Sequence, residues 1–569
     1  MRYYALATDY DGTLASQGRV DDATVAALER LRASGRKLIM VTGRELGDLM
    51  RVFPPLDLFD HVVAENGALL YRPASREEKP LGEPPPEAFV DALQKRGVNP
   101  LSVGRVIVAT HEPHETTVLE VIREMGLELQ VIFNKGAVMV LPSGINKATG
   151  LRAALKDLGL SPHNVAGIGD AENDHAFLTF CECAAAVSNA LPALKEGADL
   201  VTRQSHGAGV AELIDRIIVS DLSELAPLLT RHEIPLGLRE GEKPVRLPPY
   251  GVSVLLAGPS GAGKSTFATG LLERLGEHRY QYCIIDPEGD YPNLDGAVAL
   301  GDSKRAPTVN EVMQLLERPD QNAVVNLLGT ALEHRPAAFE SLLSALLELR
   351  ARTGRPHWII IDEAHHLLPP SWAPTLPNLP KKLNGMVLIT VHPDQVASAV
   401  LSSVDLLVAI GGAHDETIQQ FSKALGEHAP AAPSPALPGG SVAWWRHGKA
   451  APFWFQSIPP KGERLRHIRK YAEGELPPDR SFFFQGPEGK LNLRAQNLTL
   501  FIQLAEGVDD ETWSYHLKRG DYARWFRTMI KDPELADDAE AIAQKTGLSP
   551  KESRAQIREK IESRYTGAA

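Results

Sequence analysis

Tyr3-Tyr4-Ala5-Leu6-Ala7-Thr8-Asp9-Tyr10-Asp11-Gly12-Thr13 is an apolar run that ends in two carboxylates spaced Asp-x-Asp. Residues 3–9 read as a buried strand. A strand with this ending puts both carboxylates at the C-terminal edge of a parallel sheet, where open α/β folds place their sites. Gly12 allows a tight turn, and Thr13 can bond to the loop. A helix is expected over about 21–34, then a strand at Lys37–Val41, and strands and helices alternate to about residue 218. That alternation predicts a parallel α/β sheet. A Pro-rich stretch, Pro80 to Pro86, interrupts it. Beyond it, about 86–141 reads as helix, strand, helix, strand, strand, a small inserted subdomain.

The paired carboxylates suit one kind of chemistry. A carboxylate attacks a phosphate dianion poorly because both are negative, so such a site needs a cation, and oxygen-ligated Mg²⁺ fits. Asp9 would attack and form an aspartyl-phosphate. Asp11 would protonate the leaving oxygen and then activate water. Three further pieces follow strand-like runs in order. Val41-Thr42-Gly43-Arg44 offers a hydroxyl, Gly144-Ile145-Asn146-Lys147 a cation, and Gly167-Ile168-Gly169-Asp170-Ala171-Glu172-Asn173-Asp174 two more carboxylates.

With these motifs, residues 1 to about 218 resemble haloacid dehalogenase (HAD) superfamily phosphatases of the Cof-type capped class. Ala64-Glu65-Asn66-Gly67-Ala68 and Val187-Ser188-Asn189-Ala190 match that class too. The resemblance implies a Rossmann-like domain with an inserted α+β cap at about 84–145. It implies Asp9 as nucleophile, Asp11 as general acid/base, and Thr42 and Lys147 as phosphate ligands. Mg²⁺ would be held by Asp9, Asp170 and the Asp11 carbonyl, with Asp174 in support. The short cap resembles those of phosphoglycolate and phosphosugar phosphatases, which suits a small phosphoester. His111, His114 and Glu115 are candidate cap contacts.

A second phosphate signature lies about 250 residues on. Gly258-Pro259-Ser260-Gly261-Ala262-Gly263-Lys264-Ser265-Thr266 follows an apolar strand and precedes a helix-like run, Phe267–Leu275. That is the context of a P-loop, whose backbone N–H groups and helix N-terminus cradle phosphates. Lys264 would reach the β/γ oxygens of ATP, and Ser265 would ligate Mg²⁺. Trp358-Ile359-Ile360-Ile361-Asp362-Glu363 is the matching acidic strand, with Asp362 for the Mg²⁺ shell and Glu363 to polarise water. Three more strings are Ile284–Tyr291, Thr390–Gln395 with Val400–Asp405, and Leu437–Gly440. With them, about 250–460 resembles HerA/FtsK-type ATPases. That implies a RecA-like fold and a ring such as a hexamer, in which a neighbouring subunit completes each site. Val391 stands where that family has a polar glutamine. The small β-barrel that precedes the core in HerA proteins is missing. Arg350, Arg352 and Arg355 are candidate arginine fingers.

The expected organisation is therefore an HAD phosphatase over 1–220, a linker over 221–249, a P-loop ATPase over 250–460 and a mainly helical module over 461–569. In the last, Trp513, Leu517, Trp525 and Phe526 are expected to be buried, and Lys461–Lys470 is a basic run. The chain has 569 residues and a formal net charge of -12, which argues against a large basic nucleic-acid surface. Cys181, Cys183 and Cys283 are the only cysteines, so ordinary reduced thiols are expected. No apolar stretch approaches the roughly 20 residues that span a bilayer, and no secretory signal opens the chain. A cytoplasmic homo-oligomer is expected. The leading expectation is a Mg²⁺-dependent phosphatase for a small metabolite, joined to an ATP-using, oligomerising domain. The rivals are a DNA-directed motor with an end-processing phosphatase, and an ATP-dependent scaffold.

Overall fold

The computed structural model describes residues 1–239, 241–260, 262–291, 294–372, 383–431, 433, 440–446, 451–461, 471, 476, 480–530, 532–545 and 547–565. The chain divides into two compact units, Met1–Ile458 and Pro459–Ala569.

The first unit is built on two large sheets. Its N-terminal strands are β1 (Ala5–Thr8), β2 (Lys37–Val41), β3 (His61–Ala64), β4 (Leu69–Arg72), β5 (Glu77–Pro80), β6 (Ser102–Val103), β7 (Val108–His111), β8 (Leu129–Asn134), β9 (Ala137–Pro142), β10 (Val165–Gly169), β11 (Cys183–Ala186) and β12 (Leu200–Val201). Among the described residues, eight of them form one sheet in the order β12-β11-β10-β1-β2-β3-β4-β5. From β12 to β3 the pairing is parallel, with β1 central between β10 and β2. All four residues of β1 are buried, as expected for a sheet covered by helices on both faces. The insert forms its own antiparallel sheet, β6-β7-β9-β8. Two helices, Glu87–Lys95 and Glu115–Glu124, cover that sheet through Phe89, Leu93, Val118 and Val121.

The second sheet contains β13 (Ile234–Leu238), β14 (Pro244–Leu247), β15 (Ser253–Ala257), β16 (Tyr282–Asp286), β17 (Val298–Leu300), β18 (Ala323–Asn326), β19 (Trp358–Ile361), β20 (Met386–Thr390), β21 (Leu406–Ile410), β22 (Ser441–Trp445) and β23 (Phe453–Ser457). Their order is β14-β13-β23-β22-β21-β15-β20-β19-β16-β18-β17. Strand β20 thus lies between the P-loop strand β15 and the acidic strand β19. Residues 221–249, expected as a linker, carry the hairpin β13–β14, which pairs with β23 and extends this sheet. Ile234, Leu236, Val245 and Leu247 enter the same core as the P-loop helix Lys264–Glu277.

The two sheets meet at their N-terminal edges. Tyr4, just before β1, donates its hydroxyl to the carbonyls of Ala351 and Arg350 at 2.7 and 3.1 Å. Glu182, just before β11, accepts from the Tyr280 hydroxyl at 3.1 Å and from Arg2 at 2.5 Å. His163 stacks on Tyr280 with ring centroids 3.8 Å apart, and its Nε2 meets the His278 carbonyl at 2.6 Å. Tyr280 precedes β16, and Ala351 lies in the helix that leads to β19. The carboxyl edges of the two sheets therefore face away from each other.

The second unit is mainly helical around a two-stranded sheet, β24 (Phe482–Phe484) with β25 (Leu493–Ala495). Trp513, Trp525 and Phe526 lie in its core, whereas Leu517 is only half-buried. The neighbouring His516 takes the inward position instead, bonded to Asp521 at 2.9 Å. Of the basic run, 462–470 lie outside the described residues.

Candidate functional site

Asp9 directly follows β1 with its carboxylate buried, and its backbone N–H bonds the Ile168 carbonyl near the end of β10. Lys147 opens the helix Lys147–Leu158 behind the N-cap of Asn146, a capping box closed by Thr149. Its ammonium, 1% exposed, donates to Asp9 Oδ1 at 2.7 Å and to Asp174 Oδ1 at 2.5 Å. Asp174 Oδ2 accepts the backbone N–H groups of Asp170 and Ala171. Thr13 donates to Asp170 Oδ1 at 3.3 Å. Asp9, Asp170 and Asp174 bring oxygens within 4.8 Å of one another. Thr42 is buried just after the neighbouring β2, its hydroxyl accepting the Arg44 N–H. Asp11 points elsewhere: Arg44 grips both of its oxygens at 2.6 and 2.7 Å.

The cluster is short of positive charge. Burial and the neighbouring Asp174 push the Asp9 carboxyl up to about 7, against the pull of Lys147. Burial also raises Asp170. Lys147 is held charged: burial opposes the charge, but the carboxylates of Asp174 and Asp9 outweigh it. An oxygen-only donor set with an unmet charge fits a hard divalent cation. The cap already presents one cation there. Lys135, in the turn between β8 and β9, places its ammonium 2.7 Å from Asp170 Oδ2 and 3.3 Å from the Asp11 carbonyl. The cap is tied down by Glu65, whose buried carboxylate accepts three cap N–H groups, from Arg105, Val106 and Ile107, at 2.9, 2.8 and 3.0 Å.

The second site forms where β15 runs into the helix Lys264–Glu277. Gly258 has φ 155°, and a Cβ there would fall 2.2 Å from the Ile410 carbonyl oxygen, so only glycine lets the loop pass that strand end. Gly263 caps the helix at φ 102°. Lys264 folds back to the carbonyls of Gly258 and Pro259 at 3.0 and 2.9 Å. Ser265 and Thr266 follow in the first turn. Gly261 lies outside the described residues. Asp362 directly follows β19 and is pushed up to about 8 by burial, then by Glu363 and Asp286. Glu363, at φ 42°, is pushed up to about 7 by burial, then by Glu288. Its Oε2 is buried without a hydrogen bond. Asp286 accepts the N–H groups of Asp290 and Tyr291, which shapes that loop beside the acidic pair.

Comparison with known proteins matches two segments of the first unit. A model of haloacid dehalogenase-like hydrolases matches residues 6–103 and 106–214. A phosphoglycolate phosphatase of Methanothermobacter thermautotrophicus is 32% identical over 224 residues, covering 38% of this chain and 98% of that protein. The chain belongs to the haloacid dehalogenase-like hydrolases. Phosphoglycolate phosphatase 2 of Saccharolobus solfataricus is 29% identical over 218 residues, covering 37% of this chain and 91% of that protein. A haloacid dehalogenase-like hydrolase structure from Bacteroides thetaiotaomicron covers 38% of this chain and 99% of its own, at 20% identity and a TM-score of 0.33. A model of the AAA ATPase domain matches residues 246–391. The chain is thus an HAD phosphatase fused to an ATPase domain.

The phosphatase half brings Asp9, Lys147, Asp170 and Asp174 together, with Thr42 just after the neighbouring strand β2. It turns Asp11 toward Arg44. His111 is exposed, and His114 bonds Asn99 within the cap. Among the candidate fingers, Arg350 and Arg355 lie at the opposite edge of the ATPase sheet. Arg350 is spent on carbonyls including those of Pro356 and Asn384, and Arg355 on Gln281, Leu316 and Gly159. Arg352 is exposed and pairs with Glu317. Lys135, Arg44 and Glu65 carry contacts to which the sequence reading gave no role. Arg44 and Glu65 stand inside the Val41–Arg44 and Ala64–Ala68 motifs, whereas Lys135 sits in an ordinary Asn-Lys-Gly turn. No helix among the described residues is long and apolar enough to cross a membrane.

Proposed function

We propose that residues 1–220 hydrolyse a small phosphomonoester through an aspartyl-phosphate on Asp9, with Mg²⁺, and that residues 250–460 bind and hydrolyse ATP in a homo-oligomer. The observation that carries this reading is the buried Lys147 bridge between Asp9 and Asp174 at the carboxyl edge, beneath a cap. Asp9 Oδ attacks phosphorus and the ester P–O bond breaks; Asp11, once released from Arg44 and protonated, gives its proton to the leaving oxygen. Asp11 then takes a proton from the water that attacks the phosphoryl group, and inorganic phosphate leaves. Thr42 and Lys147 hold the phosphoryl oxygens. Asp9, Asp170 and the Asp11 carbonyl would hold Mg²⁺, with Asp174 behind them; bound there it screens the repulsion between carboxylate and phosphate.

The relatives' names make 2-phosphoglycolate the first substrate to try, and Lys135 supplies a cap cation suited to its carboxylate. In the ATPase half, Gly258, Gly261, Gly263, Lys264, Ser265 and Thr266 would cradle the triphosphate. Asp362 would complete a Mg²⁺ shell with Ser265, and Glu363 would polarise water. The placement of Arg350 and Arg355 far from this loop supports a residue supplied by a neighbouring subunit, and so a ring. The test is phosphate release from 2-phosphoglycolate and a panel of small esters by wild type, Asp9→Asn and Lys264→Ala. Ester turnover abolished only by Asp9→Asn, with ATP turnover abolished only by Lys264→Ala, is expected. No ester turnover by wild type with Mg²⁺ would defeat the reading.

A further inference from the structure

The helices that begin at Lys147 and Lys264 end at the same place. The first has 12 residues and the second 14, so each runs roughly 18–21 Å from its lysine toward the junction. Between their far ends lies a half-open cleft of about 410 Å³, lined by both domains. That volume falls within the roughly 300–1,000 Å³ of small-molecule sites.

Three cations converge on the cleft. Arg152 and Lys156 stand one turn apart on the outer face of the Lys147 helix, and Arg279 follows the Lys264 helix. The guanidinium groups of Arg152 and Arg279 lie 5.1 and 5.8 Å from the Phe180 ring centroid, so one phenyl ring carries both. Asp320 is the acidic residue in the lining, and none of the three cations makes an ion pair among the described residues. Gathering like charges costs energy unless an anion joins them, and this chain has a net charge of -12. Arg279 also adopts φ 62°, a left-handed conformation that disfavours any side chain. The backbone pays that strain where a glycine would not, and its guanidinium reaches the cleft.

We propose that this cleft binds a phosphorylated small molecule with at least two negative charges, and that its occupancy couples the phosphatase to the ATPase. A phosphate held between Arg152, Lys156 and Arg279 ties the end of one lysine-bearing helix to the end of the other. Each helix then reports to its own site, and the coupling is reciprocal. The ligand is either a nucleotide or a phosphoester of the kind the phosphatase takes.

The full chain carrying Asp9→Asn and Lys264→Ala is titrated calorimetrically with ADP, 2-phosphoglycolate and inorganic phosphate. The same titrations follow with Arg152→Glu/Arg279→Glu added. Charge reversal is expected to weaken at least one probe by about tenfold or more, as the loss of charge-assisted contacts predicts. Weakening of ADP alone assigns a nucleotide, and weakening of 2-phosphoglycolate a phosphoester. If charge reversal leaves every probe's affinity unchanged, the proposal is overturned. Lys156→Glu alone, which faces the same cleft, serves if the double reversal lowers the melting temperature. Binding is read without either catalytic activity, so this result and a failure of the catalytic reading are separate.

Discussion

Replacing Glu65 by glutamine should loosen the cap without touching the phosphoryl site. Glu65 is 1% exposed, and its two oxygens accept three cap N–H groups at 2.8–3.0 Å. Glutamine keeps one oxygen, which can still serve Val106 and Ile107, but turns an NH₂ toward the Arg105 N–H. The change removes the charge from two bonds and replaces the third by a donor facing a donor. With charged hydrogen bonds contributing roughly 1.5–3 kcal/mol each, and a buried orphan donor costing roughly 1–3, the loss is about 2–4 kcal/mol. That corresponds to roughly 30- to 1,000-fold in the closed-to-open ratio. Amide hydrogen exchange at 105–107 reads it directly, because these N–H groups exchange when the latch opens. Gly104→Ala offers a second route, since its Cβ would lie 2.7 Å from the Glu65 carboxylate. Protection of the three amides unchanged within about threefold in Glu65→Gln would refute the latch.

Three further outcomes are expected. In metal-free protein, Asp9→Asn should raise the melting temperature more at pH 8 than at pH 5.5. The Asp9 carboxyl sits at about 7 in the folded chain, above its ordinary 3.8. Wild type therefore loses stability as pH rises from about 4 through 7, and the neutral amide escapes that loss; equal shifts at both pH values would contradict it. Gly150→Ala should destabilise the phosphatase by roughly 1–3 kcal/mol. Its Cβ would meet Val63 Cγ1 at 2.2 Å, pushing the Lys147 helix off β3; thermal melting with ester turnover measures both effects. Trp513→Ala should cost roughly 3–5 kcal/mol in the C-terminal unit. Trp513 is 1% exposed and bonds Ser553 through its indole N–H. Calorimetry should show an early transition from that unit, with ATP and ester turnover retained at temperatures below it.

The legible parts of this chain were those where one short segment fixes both a strand and its chemistry. The strands at 37–41, 358–361 and 386–390 stand where their apolar runs indicated, because buried parallel strands need little beyond such runs. The carboxylates after β1 and β10 and the lysine of the P-loop follow from the strand and helix ends that carry them. The hairpin β13–β14 was hidden by its prolines. Pro235 sits at a bulge and Pro244 on the sheet's outermost strand, two places where a missing N–H breaks no ladder. Arg350 and Arg355 stand near one helix end in sequence, but Arg355 is buried where one sheet edge packs against the other and bonds the Gly159 carbonyl, whereas Arg350 is half-buried against carbonyls of its own domain. Lys135 and Glu65 act between segments far apart in sequence, 35 and 40 residues or more from their partners. No local pattern encodes such a contact.

The abutment of the two sheets by their amino edges rules on traffic. A small molecule released beside Asp9 must cross the phosphatase sheet, the junction and the ATPase sheet, or diffuse around them through bulk solvent, before it reaches Lys264. Direct handover between Asp9 and Lys264 would therefore have no short path. One polypeptide fixes the two sites in a one-to-one ratio, with the amino edges of their sheets hydrogen-bonded to each other.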